Sequence, residues 1–484
     1  MSKAIEGLKP ELVWKYFAEI SNIPRGSKNE TAITAYVAAT AKKLGLAAKV
    51  DSCGNVAVSK PATAGKEKAP IVVLQGHLDM VCEKNKDKIH DFEKDPIELV
   101  RDGNVLKANG TTLGADNGIG VSISLAIMED KSLLHGPLEF LFTIDEETGL
   151  TGAQNLKSGF LKGMILMNLY SEEEGALYVG CSGGKDTLGS LKIQWESAPN
   201  GLVPVQISIT GLRGGHSGLD INTGRGNALK LLNRVLWSLN SIIDLRLSKF
   251  EGGSKRNAIP READTVIYIP KEKLADVKNI VQKFDTAFKS EYAVSDKGVT
   301  VKVLDVQGSG KVISISLCNT LLNLLYSLPH GVIAMSQDIS ELVETSTNVA
   351  TINFTEDSII IGTSQRSSVE SEKHDIANQV RSVFLLAGTQ VEDTDGYPGW
   401  KPNMSSKILS ISKETYKKLF GKEPAVKAIH AGLECGIIGE KFPGMDMISM
   451  GPTMEAVHSP DEKIYIDTVE KFWKYLTEVL KSVN

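Results

Sequence analysis

His77 and Asp79 stand two residues apart at the end of an apolar run, Ile71-Val-Val-Leu-Gln-Gly-His77-Leu-Asp79. Residues i and i+2 of an extended segment project to one side. The Asp79 carboxylate can therefore hold the His77 imidazole in one tautomer while the other ring nitrogen takes a metal. By itself a His-x-Asp pair is as readily an ordinary strand-end histidine. Asp116, in Gly114-Ala-Asp116-Asn-Gly118, precedes an apolar helix and reads either as a helix cap or as a ligand. Asp145-Glu146-Glu147 closes a second apolar run, and three adjacent carboxylates repel one another, which favours solvent or a cation nearby. As a site they offer a ligand and a general base side by side. A further apolar run ends in Asn168-Leu-Tyr170-Ser-Glu172. His458 lies in Gly451-Pro-Thr-Met-Glu-Ala-Val-His458-Ser-Pro. Three other polar clusters stand out, Gly214-Gly-His216-Ser-Gly218, Lys255-Arg-Asn257-Ala-Ile-Pro260 and Ser364-Gln-Arg366-Ser-Ser368, and each would also make a plain loop.

The elements that must carry these residues follow from the patterning. Four aliphatics in a row at 71–74 predict a strand buried on both faces, with Gly76 opening the backbone before the polar pair. Strands are also expected at 48–50, 56–59, 138–144 and 164–169. Helices at 10–23, from a capping box at Ser27-Lys-Asn-Glu30 to about Gly45, and after Asp116 alternate with them. Such alternation predicts a mainly parallel sheet, with function gathered beyond the strand C-termini. From about Gly183 the texture changes. Amphipathic helices at 227–239, 273–288, 313–325 and 369–386 alternate with strands, which suggests a separate α+β domain built from two β-α-β type units. The Gly- and Pro-punctuated stretch 393–402 reads as a return linker. The last helix lines up Val469, Phe472, Trp473, Leu476, Val479, Leu480 and Val483, so the tail must pack on a core. The expected organisation is an α/β fold of two domains: 1–183 with 400–484 as catalytic domain, and 184–399 as an inserted α+β lid.

The chain of 484 residues, 42% of them apolar, is long enough for two cores. A net charge of -5 without a Lys/Arg block argues against nucleic acid or an anionic membrane surface as partner and fits a small polar or zwitterionic ligand. The N-terminus shows no signal-peptide pattern, and no stretch approaches the roughly 20 apolar residues that span a bilayer, so a cytoplasmic protein is expected. The five cysteines are scattered and never form a C-x-x-C pair, which fits a reducing compartment and neither a disulfide framework nor a thiolate zinc site. Cys82 and Cys435 are expected to pack. Metal ligands, if any, are imidazole and carboxylate.

Taken in order, His77-Leu-Asp79-Met, Gly114-Ala-Asp116-Asn-Gly118, Asp145-Glu146-Glu147-Thr-Gly149, Asn168-Leu-Tyr170-Ser-Glu, Gly214-Gly-His216-Ser-Gly, Asn257-Ala-Ile-Pro and Gly451-Pro-Thr…His458-Ser-Pro resemble the M20 metallopeptidases, in particular the aminoacyl-histidine (Xaa-His) dipeptidases related to bacterial carnosinase. The resemblance spans essentially the whole chain. It implies two zinc ions, with manganese or cobalt as substitutes, bridged by Asp116 and a water. Glu147 and His458 would complete one ion, and His77 with an aspartate at the position of Tyr170 the other. Asp79 would orient His77, and Glu146 would act as general base. On the lid, His216 would stabilise the oxyanion, Asn257 and Arg366 would hold the substrate's polar groups and carboxylate, and backbone near Gly432 would line the floor. The implied activity is hydrolysis of unblocked dipeptides, Xaa-His included, by a homodimer. An N-acyl amino acid amidohydrolase on the same scaffold is the rival reading. A third, a metal-impaired peptide binder, arises because Tyr170 replaces the family's aspartate. Ser171 or Glu172 could move in, tyrosine could bind as phenolate, or that ion's site could be weak or empty.

Overall fold

A computed structural model describes residues 3–484. The chain divides into two compact units. One holds the chain through Gly180 together with Pro402–Ala428 and Leu433–Asn484, and the other holds Cys181–Lys401 and Ile429–Gly432. The short segment Ile429–Gly432 groups with the second unit because Ser182 donates its N–H to the carbonyls of both Ile429 and Ala431, at 3.1 and 3.0 Å.

The first unit is built on an eight-stranded sheet in the order Ala47–Val50, Val56–Lys60, Leu138–Thr143, Val72–His77, Ile165–Asn168, Asp446–Ser449, Ala176–Cys181, Ala425–Ile429. Val72–His77 pairs in parallel with Leu138–Thr143 on one side and with Ile165–Asn168 on the other, and Asp446–Ser449 extends the parallel set. Antiparallel pairs flank this centre, with Val56–Lys60 on Leu138–Thr143 and Ala176–Cys181 on Asp446–Ser449. The sheet is thus parallel where the chemistry is expected and antiparallel toward its edges. Every residue of Val72–His77 and Leu138–Thr143 is buried, as strands covered on both faces require. The closing helix Ile466–Ser482 buries Val469, Phe472, Leu476, Val479 and Leu480 within this unit.

The expected capping box at Ser27 does not form. The helix begins at Thr31, and Glu30 occupies the cap position without a side-chain cap bond. Ser27 donates instead to Asp79 at 2.8 Å, and Glu30 accepts the backbone N–H groups of Lys28 and Asp145 at 2.9 and 3.0 Å. Both residues are drawn off by partners distant in sequence, which local spacing does not reveal. Cys82 also departs from expectation: it is exposed, whereas Cys435 is buried.

In the second unit one nine-stranded sheet runs through Thr300–Asp305, Leu202–Thr210, Ala263–Pro270, Arg246–Gly252, Val343–Phe354, Ser358–Ser367, Gly183–Lys192 and Gln390–Asp393, with Gly331–Met335 paired to Val343–Phe354. Its strands pair antiparallel. The two expected β-α-β type units therefore share one continuous sheet. The helix Ala228–Asn240 buries Leu229, Leu232, Val235, Leu236 and Leu239 in the core beneath it.

Candidate active site

His77 ends its strand in register with Thr143, the last residue of Leu138–Thr143. The chain then continues to Asp79 on one side and, through Asp145, to the short helix Glu146–Gly149 on the other. Parallel pairing thus delivers the imidazole and the carboxylate run to the same end of the sheet. Asp79 fastens them together. It lies 3.4 Å from His77 Nδ1 and accepts the N–H groups of Glu146 at 3.0 Å and Glu147 at 3.2 Å. Against its burial, these bonds hold Asp79 down at about 2, so it stays a carboxylate.

Asp116 sits at the start of the helix Ala115–Glu129 with non-helical dihedrals. Its Oδ1 is 3.0 Å from His77 Nε2, and its Oδ2 is 3.4 Å from His458 Nε2. His458 Nε2 is also 3.0 Å from Glu147 Oε2. Asp116 therefore places one oxygen in each of two ligand groups, His77 on one side and His458 with Glu147 on the other. Two ligands held about 2.0–2.1 Å from one zinc ion at tetrahedral angles lie about 3.3 Å apart, so these separations suit a divalent ion on each side. The other Glu147 oxygen, Oε1, is buried without a hydrogen-bond partner, as is Nδ1 of His77 apart from its ion-pair contact with Asp79. A donor set of imidazoles and carboxylates with an orphaned buried oxygen fits zinc, manganese or cobalt.

The electrostatics point the same way. Burial opposes charge on His77, yet hydrogen bonds to Asp116 and Asp79 hold its pKa well above the usual imidazole range. Bonds to Asp116 and Glu147 raise His458 to about 11. Both imidazoles thus hold a proton more tightly than a free one does while no cation is bound. Glu146 is pushed well above the ordinary carboxylate range by burial, with the charges of Glu434, Glu147 and Asp116 adding to the shift and that of His77 opposing it.

Tyr170 is buried, and its ring meets that of His77 edge-on at 5.4 Å between centroids. Its hydroxyl accepts the backbone N–H of Glu434 at 2.8 Å. Burial, together with the charges of Glu146 and Glu434, raises the phenol well above its usual pKa. Ser171, one of the possible substitutes, is engaged with Ser449 at 2.6 Å between hydroxyls. Glu172 is raised to about 7 by burial and by the charge of Asp116, which places it in the field of that carboxylate.

In the second unit Gly215 and His216 pair with Ile259 and Ala258, so Asn257 adjoins the histidine, and Ser217 donates its N–H to the Asn257 carbonyl at 2.9 Å. His216 Nδ1 accepts the N–H groups of Gly218 and Leu219 at 3.2 and 3.0 Å. That fixes the tautomer with hydrogen on Nε2. Burial and the charge of Arg366 lower His216 to about 4, so at neutral pH it is a neutral Nε2–H donor. Arg366 is buried, with Nη1 donating to the Tyr397 hydroxyl at 2.7 Å and Nε to Ser217 Oγ at 3.4 Å. Asn257 is exposed, while Gly432 lies against the Tyr397 ring.

Residues 73–482 match the peptidase family M20/M25/M40. The chain belongs to this family. It is 42% identical over 476 residues to the cytosol non-specific dipeptidase of Escherichia coli K12, covering 98% of each chain. Among solved structures it is similar to the aminoacylhistidine dipeptidase of Vibrio alginolyticus, with a TM-score of 0.92 and 42% identity over 99% of this chain and 98% of that one. Aminopeptidase PepT of Bacillus cereus shares the fold alone, at a TM-score of 0.57 and 15% identity, covering 98% and 99%.

Several residues of this M20 site escaped the sequence reading. Glu462 is buried and takes four successive N–H groups of the Asp116 loop: Leu113 and Gly114 on Oε2 at 2.7 and 2.9 Å, Ala115 and Asp116 on Oε1 at 2.8 and 3.3 Å. Arg25, equally buried, donates to the carbonyls of Leu78 and Asp79 at 3.0 Å and of Gly114 at 2.5 Å. It thereby ties the His77 loop to the Asp116 loop. At Gly114, whose φ is +68, a Cβ would fall 2.5 Å from the Arg25 guanidinium, so the arginine needs a glycine there. Glu434 is fully buried, with one oxygen accepting from Gln75 at 2.7 Å and Thr143 at 2.9 Å. Gly432, two residues earlier, is named from the sequence as floor of the site, but no short-range spacing links Glu434 to Gln75 or Tyr170. No helix among the described residues is long and apolar enough to cross a membrane.

Proposed function

We propose that this M20 peptidase is a cytoplasmic, metal-dependent dipeptidase that hydrolyses unblocked dipeptides, Xaa-His among them, as a homodimer. The observation that carries the reading is the placement of Asp116, one oxygen beside His77 and the other beside His458 and Glu147, with Glu146 adjoining. It occurs in a chain 42% identical to a dipeptidase along nearly its whole length. His77 and Asp116 would hold one zinc ion, and Asp116, Glu147 and His458 the other. Such ions supply Lewis-acid polarisation of the scissile carbonyl and bring the pKa of a water from about 15.7 toward about 7.

The protein's own groups do the rest. Asp79 holds His77 with Nδ1 toward itself, which leaves Nε2 for ligation. Glu146 accepts the proton of the attacking water and returns it to the departing amine. A carboxylate raised by burial is suited to both acts, because its affinity for the proton lies nearer the working pH. On the second unit, the neutral Nε2–H of His216 is suited to an oxygen that gains charge, and Arg366, with Asn257, to a substrate's carboxylate and polar groups.

The test is hydrolysis of Xaa-His dipeptides and of N-acetyl amino acids by the zinc-, manganese- and cobalt-loaded protein. Turnover of the free dipeptides supports the proposal. Turnover confined to N-acetyl amino acids transfers the chain to the amidohydrolase reading. A second reading, a metal-impaired peptide binder, is favoured by Tyr170, whose hydroxyl is engaged by Glu434 where a carboxylate ligand is expected. On that reading the ion held by Asp116, Glu147 and His458 is retained and the His77 ion is weak.

A further inference from the structure

Arg366 offers a substrate carboxylate a planar fork only if the guanidinium is held still, and the structure shows what holds it. Its Nη1 donates to the Tyr397 hydroxyl at 2.7 Å, a contact that leaves Nη2 uncommitted. Tyr397 is itself fixed at three levels. Its backbone pairs with Gly184, donating N–H at 2.9 Å and accepting at 3.1 Å. Its carbonyl also takes the ammonium of Lys373, a buried lysine, at 2.8 Å. Its ring lies in a slot between two glycines. A Cβ on Gly184 would come within 2.7 Å of the ring and one on Gly432 within 2.8 Å, so neither position can carry a side chain while the ring is in place. Tyr397 thus touches two of the four residues of this unit read as substrate-binding, Arg366 and Gly432. Together with Arg366 and Asn257 it lines a cavity of about 520 Å³ that also receives Lys185, Lys255 and Arg256, the last paired with Asp186 at 3.2 Å, so that basic groups outnumber the one carboxylate. The stretch around Tyr397 reads in sequence as a Gly- and Pro-rich linker. In the structure it carries the side chain that sets the arginine.

We propose that Tyr397 is a positioning residue that aims Arg366 at the free carboxylate of the substrate, and so sets the preference for peptides with an unblocked C-terminus. This rests on the reading of Arg366 as the carboxylate anchor. A guanidinium has rotatable carbons behind it and five donors in one plane. Held by its Nη1 bond, it presents the remaining hydrogens in one orientation. Without that bond only the longer Nε contact with Ser217 Oγ, at 3.4 Å, holds the plane; it turns, and the paired hydrogen bonds to a carboxylate become single.

The experiment compares an unblocked dipeptide with the same dipeptide carrying a C-terminal amide, in the full-length metal-loaded protein and in Tyr397→Phe and Arg366→Ala. Phenylalanine keeps the ring in its glycine slot and removes only the acceptor. Tyr397→Phe is expected to raise KM for the acid about tenfold, the effect of losing one hydrogen bond to a charged group, with kcat and the amide's KM unchanged. Arg366→Ala is expected to abolish the preference for acid over amide. If Arg366→Ala loses that preference and Tyr397→Phe retains it in full, the positioning role is overturned. An equal rise in KM for acid and amide in Tyr397→Phe overturns it too, since that is the mark of general loosening. If Arg366→Ala itself keeps the preference, the reading of Arg366 fails, and the inference with it.

Discussion

Replacing Tyr170 by aspartate should convert one side of the site from a packed hydrophobic contact into a metal ligand, with opposite effects on the metal-free and metal-loaded protein. In the wild type the phenol fills buried space against the His77 ring and accepts the Glu434 N–H at 2.8 Å. Truncating a buried aromatic costs about 3–5 kcal/mol, and an orphaned buried N–H adds about 1–3 kcal/mol. The new carboxylate would also face Glu146 and Glu434. Without metal, Tyr170→Asp should therefore melt well below the wild type. With a divalent ion on His77 and Asp116 the same carboxylate becomes a third ligand. Loss of a mere supporting partner of a metal ligand costs about 10–100-fold in affinity, so gaining a ligand should tighten the second ion by at least that factor. At a free metal concentration about 100 times Kd the bound ion returns about 2.7 kcal/mol of stability. The assay is metal content after dialysis against a weak chelator, with melting curves across a zinc titration. The expected outcome is one tightly held ion per wild-type chain, two in Tyr170→Asp, and a zinc-dependent rise in melting temperature much steeper in the variant. Two ions held equally tightly by both proteins would mean that Tyr170 weakens neither site.

Three further outcomes follow from the geometry. His458 in the metal-free chain is raised from 6.5 to about 11, so its contribution to that state's stability is complete below about pH 6.5 and is lost as pH rises through about 11. Zinc must displace this proton. Titration calorimetry near pH 7.5 in buffers of different ionisation enthalpy should show proton release on zinc uptake, and its absence would mean that His458 is not a ligand. Glu462→Gln substitutes an amide NH2 for one of two oxygens that together accept four backbone N–H groups. It should loosen the Asp116 loop and weaken zinc about 10–100-fold, measured by chelator competition. His216→Ala should lower kcat about 10²–10³-fold with bound metal unchanged, and an unaffected kcat would remove His216 from the oxyanion role.

The legible parts of this protein are those in which local pattern and tertiary role coincide. The aliphatic run before His77 is covered on both faces, so its hydrophobicity announces a central strand, and the polar residues beyond it fall at the sheet end where parallel pairing collects them. The amphipathic helices of the second unit show because one face of each is solvated. The parts that escaped are long-range. Glu462 reaches the Asp116 loop across more than three hundred residues of sequence, and Glu434 reaches Gln75 across a similar span. Neither bond has a spacing signature. The Ser27 capping box failed for the related reason that a local motif competes with distant acceptors, and Asp79 won the serine hydroxyl. Tyr397 was hidden by its setting, since glycine and proline around it signal a turn and say nothing of the slot the ring occupies.

In the proposed reaction, metal-dependent hydrolysis of dipeptides runs on Glu146 at the Asp116 site. The most direct measurement follows Xaa-His hydrolysis and bound metal on the same samples of wild type and Glu146→Gln, each stripped by chelator and then reloaded with zinc. That reaction requires that stripped protein is inactive, that reloading restores turnover to the wild type, and that Glu146→Gln rebinds the same metal while its kcat stays lower by a factor of about 10²–10⁴. Full turnover by the stripped protein, or by reloaded Glu146→Gln, would contradict it.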